Sequence, residues 1–174
     1  MKALFKEKNG SIGGALINVS VYNNRKNINI YTYNEKGFQT GRINVIQIYN
    51  NEYYIADIYC YSMYRGNGIA TKILKLVETI IEPNTVITGT FVPYQDRSDR
   101  YTIPEYNKLF SDVRDFYANN GYEFYKSKGT IKFKKHITFK EDNFALAGDV
   151  MYDVNLCNKD FELSEQLIKK ISKR

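Results

Sequence analysis

Apolar and polar residues alternate with period two through most of the first third of the chain. Ile17, Val19 and Val21 alternate with polar neighbours ahead of an NNRKN turn. Ile28, Ile30 and Thr32 alternate with Asn29, Tyr31 and Tyr33 ahead of NEKG, and Ile43 and Val45 carry the pattern toward Tyr49 and NNE. Successive side chains of a strand point to opposite faces, so the run from Ala15 to Tyr49 predicts an antiparallel meander. From Tyr53 to Cys60 the alternation gives way to a β-branched and aromatic run in which Asp57 is the only charge, which predicts a central strand buried on both faces.

Beyond Arg65 the period changes. Ile69, Ala70, Ile73, Leu74, Leu76, Val77, Ile80 and Ile81 recur at helical spacing, polar residues hold the other side, and Pro83 stops the helix near Glu82. Thr85 to Val92, TVITGTFV, predicts a second buried strand, so strand, helix and strand form a right-handed parallel crossover. Pro93 to Pro104 is polar and rich in turn residues; it reads as a loop that borders a site or simply connects. Leu109, Phe110, Val113, Phe116 and Tyr117 mark one face of a second helix, closed by Asn119-Asn120-Gly121. Tyr122 to Tyr125 and Thr130 to Lys135 predict a hairpin about Ser127-Lys128-Gly129. From Asp160 onward Phe161, Leu167, Ile168 and Ile171 predict a short amphipathic helix that packs on its own domain, with a homodimer contact as the alternative use.

Composition narrows the class of protein. At 174 residues and 20.3 kDa the chain fits one domain with a substantial core. No apolar run is long enough to span a bilayer, and MKALFKEKNG is too short and too charged for a signal peptide, so the expectation is a cytoplasmic protein with no membrane partner. Cys60 and Cys157 fit reduced thiols, and His136 as sole histidine leaves no common zinc pattern, so no metal is expected. The net charge of +6 allows an anionic partner, but the positive residues are spread along the chain, which disfavours nucleic acid without removing it. Lysines at 126, 128, 132, 134, 135 and 140 make the hairpin basic, and the segment from Glu141 to Glu165 is acidic. These are two solvated faces, or else the acidic extension folds back onto the basic hairpin.

Candidate chemistry sits between the central strand and its helix, in Arg65-Gly66-Asn67-Gly68-Ile69-Ala70. Two glycines in three residues let the backbone turn sharply and approach a ligand, and the helix start offers amides without an intrahelical acceptor, a site for phosphate or another anion. A tight turn that binds nothing has the same glycines. The hexapeptide, however, matches the Arg/Gln-x-x-Gly-x-Gly/Ala pattern of the GNAT superfamily of N-acetyltransferases, and Ile58-Tyr59-Cys60 stands where that family has Leu-Tyr-Val. Phe116-Tyr117-Ala118-Asn119-Asn120-Gly121-Tyr122 is similar to its Phe-Tyr-x-x-x-Gly-Phe segment. On these two ordered motifs the stretch from about Tyr53 to Lys135 resembles that family.

The resemblance implies an α/β (α+β) fold: a mixed, mostly antiparallel sheet with a splayed parallel strand pair, flanking helices and the N-terminal meander. Residues 1–140 would form the acetyltransferase domain and residues 141–174 an extension packed on it. It implies acetyl-CoA as co-substrate, with the backbone of Arg65, Gly66, Asn67, Gly68, Ile69 and Ala70 on the pyrophosphate. Ile58, Tyr59 and Cys60 would lie along pantetheine, with a strand N–H stabilising the oxyanion. Tyr117 falls at the position of the acid that protonates the departing thiolate; a core helix aromatic is its other reading. Asp57 lies beside the position where spermidine/spermine acetyltransferases place acidic residues, so it would bind a cationic acceptor or relay a proton, or else be ion-paired at a strand edge; Asp96, Asp99 and Glu52 are further carboxylates. Cys60 is expected as a small core residue, because no base is placed to activate it. Two departures stand out: no helical pattern follows the first strand where the family has two helices in its acceptor wall, and Phe110 replaces an Asn. The resemblance implies a small-molecule or protein amine as acceptor. The alternatives are a non-catalytic acyl-CoA-binding module and an enzyme that acetylates aminoacyl-tRNA.

Overall fold

A computed structural model describes residues 1–91, 103–138, 143–156 and 160–172. The meander is present and starts earlier than its alternation suggested: β1 (Lys2–Lys6), β2 (Ile12–Tyr22), β3 (Arg25–Tyr33) and β4 (Gln39–Tyr49) lead into β5 (Glu52–Cys60). A single 3-10 turn, Ser62–Tyr64, precedes helix α1 (Ile69–Ile80), followed by β6 (Thr85–Thr90), helix α2 (Ile103–Asn119), β7 (Glu123–Ser127) and β8 (Thr130–Ile137). The chain then adds β9 (Phe144–Ala147), β10 (Val150–Asp153) and helix α3 (Phe161–Ile171). Among the described residues ten strands form one sheet in the order β7-β8-β6-β5-β4-β3-β2-β1-β10-β9. All pairs are antiparallel except β5 with β6 and β1 with β10, so the mixed, mostly antiparallel sheet with its parallel crossover pair is the fold the chain adopts.

Each face of the sheet carries its own core. Ala15, Ile17, Ile28, Ile30, Ile43, Val45, Tyr53 and Ile55 point one way and are covered by Ile69, Ile73, Leu74, Leu76 and Val77 of α1. Helix α2 lies on the same face, since Asn120 at its end donates to Thr71 Oγ1 of α1 (3.5 Å) and Tyr117 stacks on Phe133 of β8. The alternate residues Ile12, Leu16, Tyr31 and Tyr33 point the other way, where Leu167 and Ile171 of α3 complete a second, smaller core with Leu4 and Val150. Gly14 lets α3 lie close: a Cβ there would sit 3.1 Å from Leu167 Cδ2 and 3.3 Å from Ile171 Cδ1. Among the described residues, the wall on this second face comes from the C-terminal end of the chain, and no helix interrupts the N-terminal strands.

Three strands escaped the sequence reading. β1 is short and charged at both ends, and β9 and β10 are four residues each. Among the described residues the acidic extension makes no ion pair with the basic hairpin. It adds to the opposite edge of the sheet, where β10 pairs in parallel with β1 (Lys2 with Val150 to Leu4 with Tyr152). The physical reason is the open edge of β1 together with three local cations: Asp149 pairs with Lys2 (3.9 Å), Asp160 with Lys6 (3.4 Å) and Asp153 with Lys72. Glu141, Asp142 and Lys140 lie outside the described residues, as does Cys157. Among the described residues no helix is long and apolar enough to cross a membrane.

Candidate active site

Strand β5 holds both its neighbours over only part of its length. Its pairing with β6 runs from Glu52–Val86 to Ile55–Gly89 and stops there, whereas β4 stays paired with β5 to Gly41–Cys60 and β8 stays with β6 to Thr90–Lys132. The break coincides with a bulge: Val45 faces Ile55 and Asn44 faces Asp57, so Ala56 is an extra residue on β5. A bulge bends its strand and increases the local twist, which carries Ala56–Cys60 away from β6. Tyr54 Oη donates to Thr90 Oγ1 (3.1 Å) across the base of the opening.

The opening is a cleft of about 960 Å³. Because side chains alternate along β5, it is lined from both faces of the sheet. Ile58 and Cys60 meet Phe116, Tyr117 and Phe133 on the helix side, and Tyr54, Asp57 and Tyr59 line it from the other. At one end lies the glycine loop. Gly66 (φ 84°) and Gly68 (φ 78°) both occupy the left-handed region, and Gly68 caps α1 without a side-chain hydrogen bond. Lys72 N–H reaches Gly68 O (3.0 Å), so the amides ahead of it have no carbonyl within the helix. No acidic residue stands in the first turn to satisfy this positive end.

Of the residues expected at a donor site, Ile58, Tyr59, Cys60, Arg65, Gly66, Gly68, Ile69 and Ala70 line this one cleft together with Tyr117 and Asp57. Asn67 does not line it; its carbonyl accepts Lys8 N–H from the β1–β2 turn (3.1 Å). Arg65 turns back, donating Nε–H to Cys60 O (3.1 Å). Burial pushes the Cys60 thiol up, with the Arg65 charge opposing, so the thiolate is disfavoured. Asp57 accepts from Arg42 Nε (2.9 Å) and is therefore an ion-paired carboxylate at the rim, its side chain 37% exposed. Glu52 accepts from Thr88 Oγ1 (3.0 Å), outside the cleft lining. Asp96 and Asp99 fall outside the described residues, as does most of the Pro93–Pro104 loop.

Tyr117 is 5% exposed and its ring stacks on Phe133 at 3.9 Å between centroids. Burial pushes its phenol well above the ordinary value, and the charge of Asp57 and then Tyr54 add to that. It is thus held in its protonated form at neutral pH. Phe110 edges against Phe91 (4.5 Å), so in place of a polar Asn the helix presents a ring to the end of β6.

The Tyr117 platform depends on Gly89. A Cβ there would lie 2.2 Å from Phe133 Cζ, so Gly89→Ala must displace a fully buried ring. An expected loss of about 1–3 kcal/mol follows from overpacking, measurable by urea denaturation.

Sequence reasoning missed Lys8, which lines the cleft from a segment far upstream of either motif, and Tyr54 and Phe133, which read only as strand residues. For Lys8 no local pattern existed to find it.

The chain matches no family model and no curated protein. Solved structures similar to it include a GNAT-family acetyltransferase from Staphylococcus aureus (17% identity, TM-score 0.48, covering 64% of this chain and 68% of that one). Another is an aminoglycoside 6′-N-acetyltransferase complexed with coenzyme A (18%, 0.46, 66% and 76%). A third is a variant of spermidine N-acetyltransferase from Vibrio cholerae (11%, 0.44, 65% and 64%). At these identities and TM-scores the likenesses assign no activity, and what the cleft can bind follows from its own residues.

Proposed function

We propose that the protein is an acetyl-CoA-dependent N-acetyltransferase of the GNAT type, acting by direct transfer in a ternary complex. The observation that carries this reading is the meeting, in one cleft, of an unpaired strand edge, a glycine-flanked helix start and a buried protonated tyrosine. The extended edge of Ala56–Cys60 suits the amides of pantetheine, which pair with it as a strand would. The amides of the Gly66–Ala70 segment suit the diphosphate. A strand N–H at the bulge stabilises the oxyanion that forms on the thioester carbonyl.

The acceptor enters from the second face, past Asp57 and Tyr59. Its neutral nitrogen attacks the thioester carbon, a C–N bond forms, and the C–S bond breaks as the tetrahedral intermediate collapses. The nitrogen gives up a proton to water or to Asp57, and the thiolate takes one from Tyr117 and leaves as CoA thiol. Asp57 binds a cationic acceptor by exchanging its Arg42 partner for the acceptor's charge. Residues 141–174 serve as an extension of the same domain, and the enzyme works in the cytoplasm.

Calorimetric titration with acetyl-CoA tests the donor site, with Gly68→Glu as control. This variant forces a side chain onto a left-handed residue and puts a carboxylate beside the diphosphate. An affinity loss on the order of thirty-fold in a still-folded protein is expected. Folded wild type that ignores acetyl-CoA would refute the reading. Binding without transfer to any of a panel of amines would favour the non-catalytic acyl-CoA module instead.

A further inference from the structure

We infer that Lys8, in the turn between β1 and β2, is a diphosphate-binding residue of the donor site. The inference rests on the acetyl-CoA reading above.

Among the described residues Lys8, Arg65 and Lys72 stand at the start of α1, and two of them are engaged. Lys72 is paired with the buried carboxylate of Asp153, and Arg65 directs its Nε–H to Cys60 O. Lys8 makes no ion pair among the described residues. Its side chain runs along the glycine loop: a Cβ on Gly68 would lie 3.2 Å from Lys8 Cγ and 3.4 Å from its Cε. It also lines the cleft beside Gly66, Gly68 and Ile69. An ammonium at this place adds a full charge to the partial charges of the free amides, which is what a diphosphate lacks if it meets the helix start alone.

The backbone that carries Lys8 is fixed in advance. Glu7 N–H bonds Ser11 O (2.9 Å), Gly10 N–H bonds Glu7 O (3.0 Å), and Ser11 donates through both N–H and Oγ–H to Asn9 Oδ1. The turn is then joined to the glycine loop by Lys8 N–H to Asn67 O (3.1 Å). A cation on a preformed turn loses less freedom on binding than one on a mobile loop. Burial raises the adjacent Glu7 carboxyl above its ordinary value, the Ser11 hydrogen bond opposing and the charge of Glu35 adding to the rise. Lys8 thus gives the N-terminal hairpin, which carries neither donor-site motif, a part in donor binding.

The experiment titrates wild type, Lys8→Gln and Lys8→Arg with acetyl-CoA, with its 3′-dephospho form and with S-acetylpantetheine, at two salt concentrations. Lys8→Gln is expected to weaken acetyl-CoA and the dephospho form alike, about ten-fold, and to flatten the salt dependence. S-acetylpantetheine, which has no phosphate, should bind both proteins equally, and Lys8→Arg should keep most of the affinity. A loss that disappears with the dephospho form would move Lys8 to the 3′-phosphate and overturn the assignment. Equal binding of acetyl-CoA by wild type and Lys8→Gln would overturn it outright. No binding by wild type would instead overturn the acetyl-CoA reading itself.

Discussion

Tyr117→Phe should lower kcat by about 10²- to 10⁴-fold while leaving the KM for acetyl-CoA close to its original value. The hydroxyl is the only group removed, and the ring keeps its stack on Phe133 and its edge contacts with Phe116 and Tyr122. Fold and donor site therefore stay, and only proton delivery to the thiolate is lost. The pH profile gives a second check. Burial keeps the phenol protonated far above neutral pH, so wild-type activity should rise as the acceptor amine deprotonates and should not fall near pH 7–8 for lack of an acid. In the Phe variant the thiolate must leave unassisted or take its proton from water, and the rate should respond to the basicity of the leaving thiol. Steady-state kinetics with acetyl-CoA and a responsive amine decides the matter; an unchanged kcat would make Tyr117 a core aromatic and no more.

The second large effect is on stability. Asp153, 2% exposed on β10, accepts from Lys72 on the first turn of α1, from Lys6 N–H (3.3 Å) and from Asn155 through both N–H (3.0 Å) and Nδ2 (2.8 Å). Asp153→Ala leaves Lys72 three-quarters buried without its counter-charge. Removing one member of a buried pair costs roughly 3–5 kcal/mol, about 10 °C in Tm for a chain of this size. Burial alone would raise the Asp153 carboxyl, but the Lys72 and Asn155 hydrogen bonds outweigh it and hold the group below its ordinary value of 3.8. A depressed pKa contributes stability above the unfolded value, and that stability is lost as pH falls through the folded one. The gap between wild type and Asp153→Ala should therefore be constant from neutral pH to about 4 and shrink below it. Chemical denaturation at several pH values would show this, and a gap that widens in acid would contradict it.

The central strand, helix and second strand could be read directly because a β-branched, aromatic run and a helical stripe leave strong local traces, as at Tyr53–Cys60 and Ile69–Ile80, although burial on both faces was not met: only Tyr53 and Ile55 of β5 are buried, since the strand opens onto the cleft. Phe116–Tyr122 similarly announced the end of α2. What could not be read were features fixed by distant partners. β10 exists because β1 offers an edge, and four residues of VMYD carry no such message. The β5 bulge at Ala56 is a matter of register between two strands, invisible in either one. Arg42 reaches Asp57 only because β4 sets it diagonally across the pair, and Lys8 reaches the glycine loop only because a turn near the start of the chain lies against residues about sixty positions on.

The parallel pairing of β1 with β10 also sets a timetable. Lys2 meets Val150, so the first strand emerges from the ribosome long before its neighbour has been made, on the order of ten seconds at ordinary rates of synthesis. During that interval one row of β1 backbone donors and acceptors stands open, and any other extended chain can add to it. The mature sheet conceals this, because β9 and β10 take the position and the short β9 becomes the edge. Nascent chains stalled before Phe144 should thus be the species most prone to pair with one another and most in need of a chaperone.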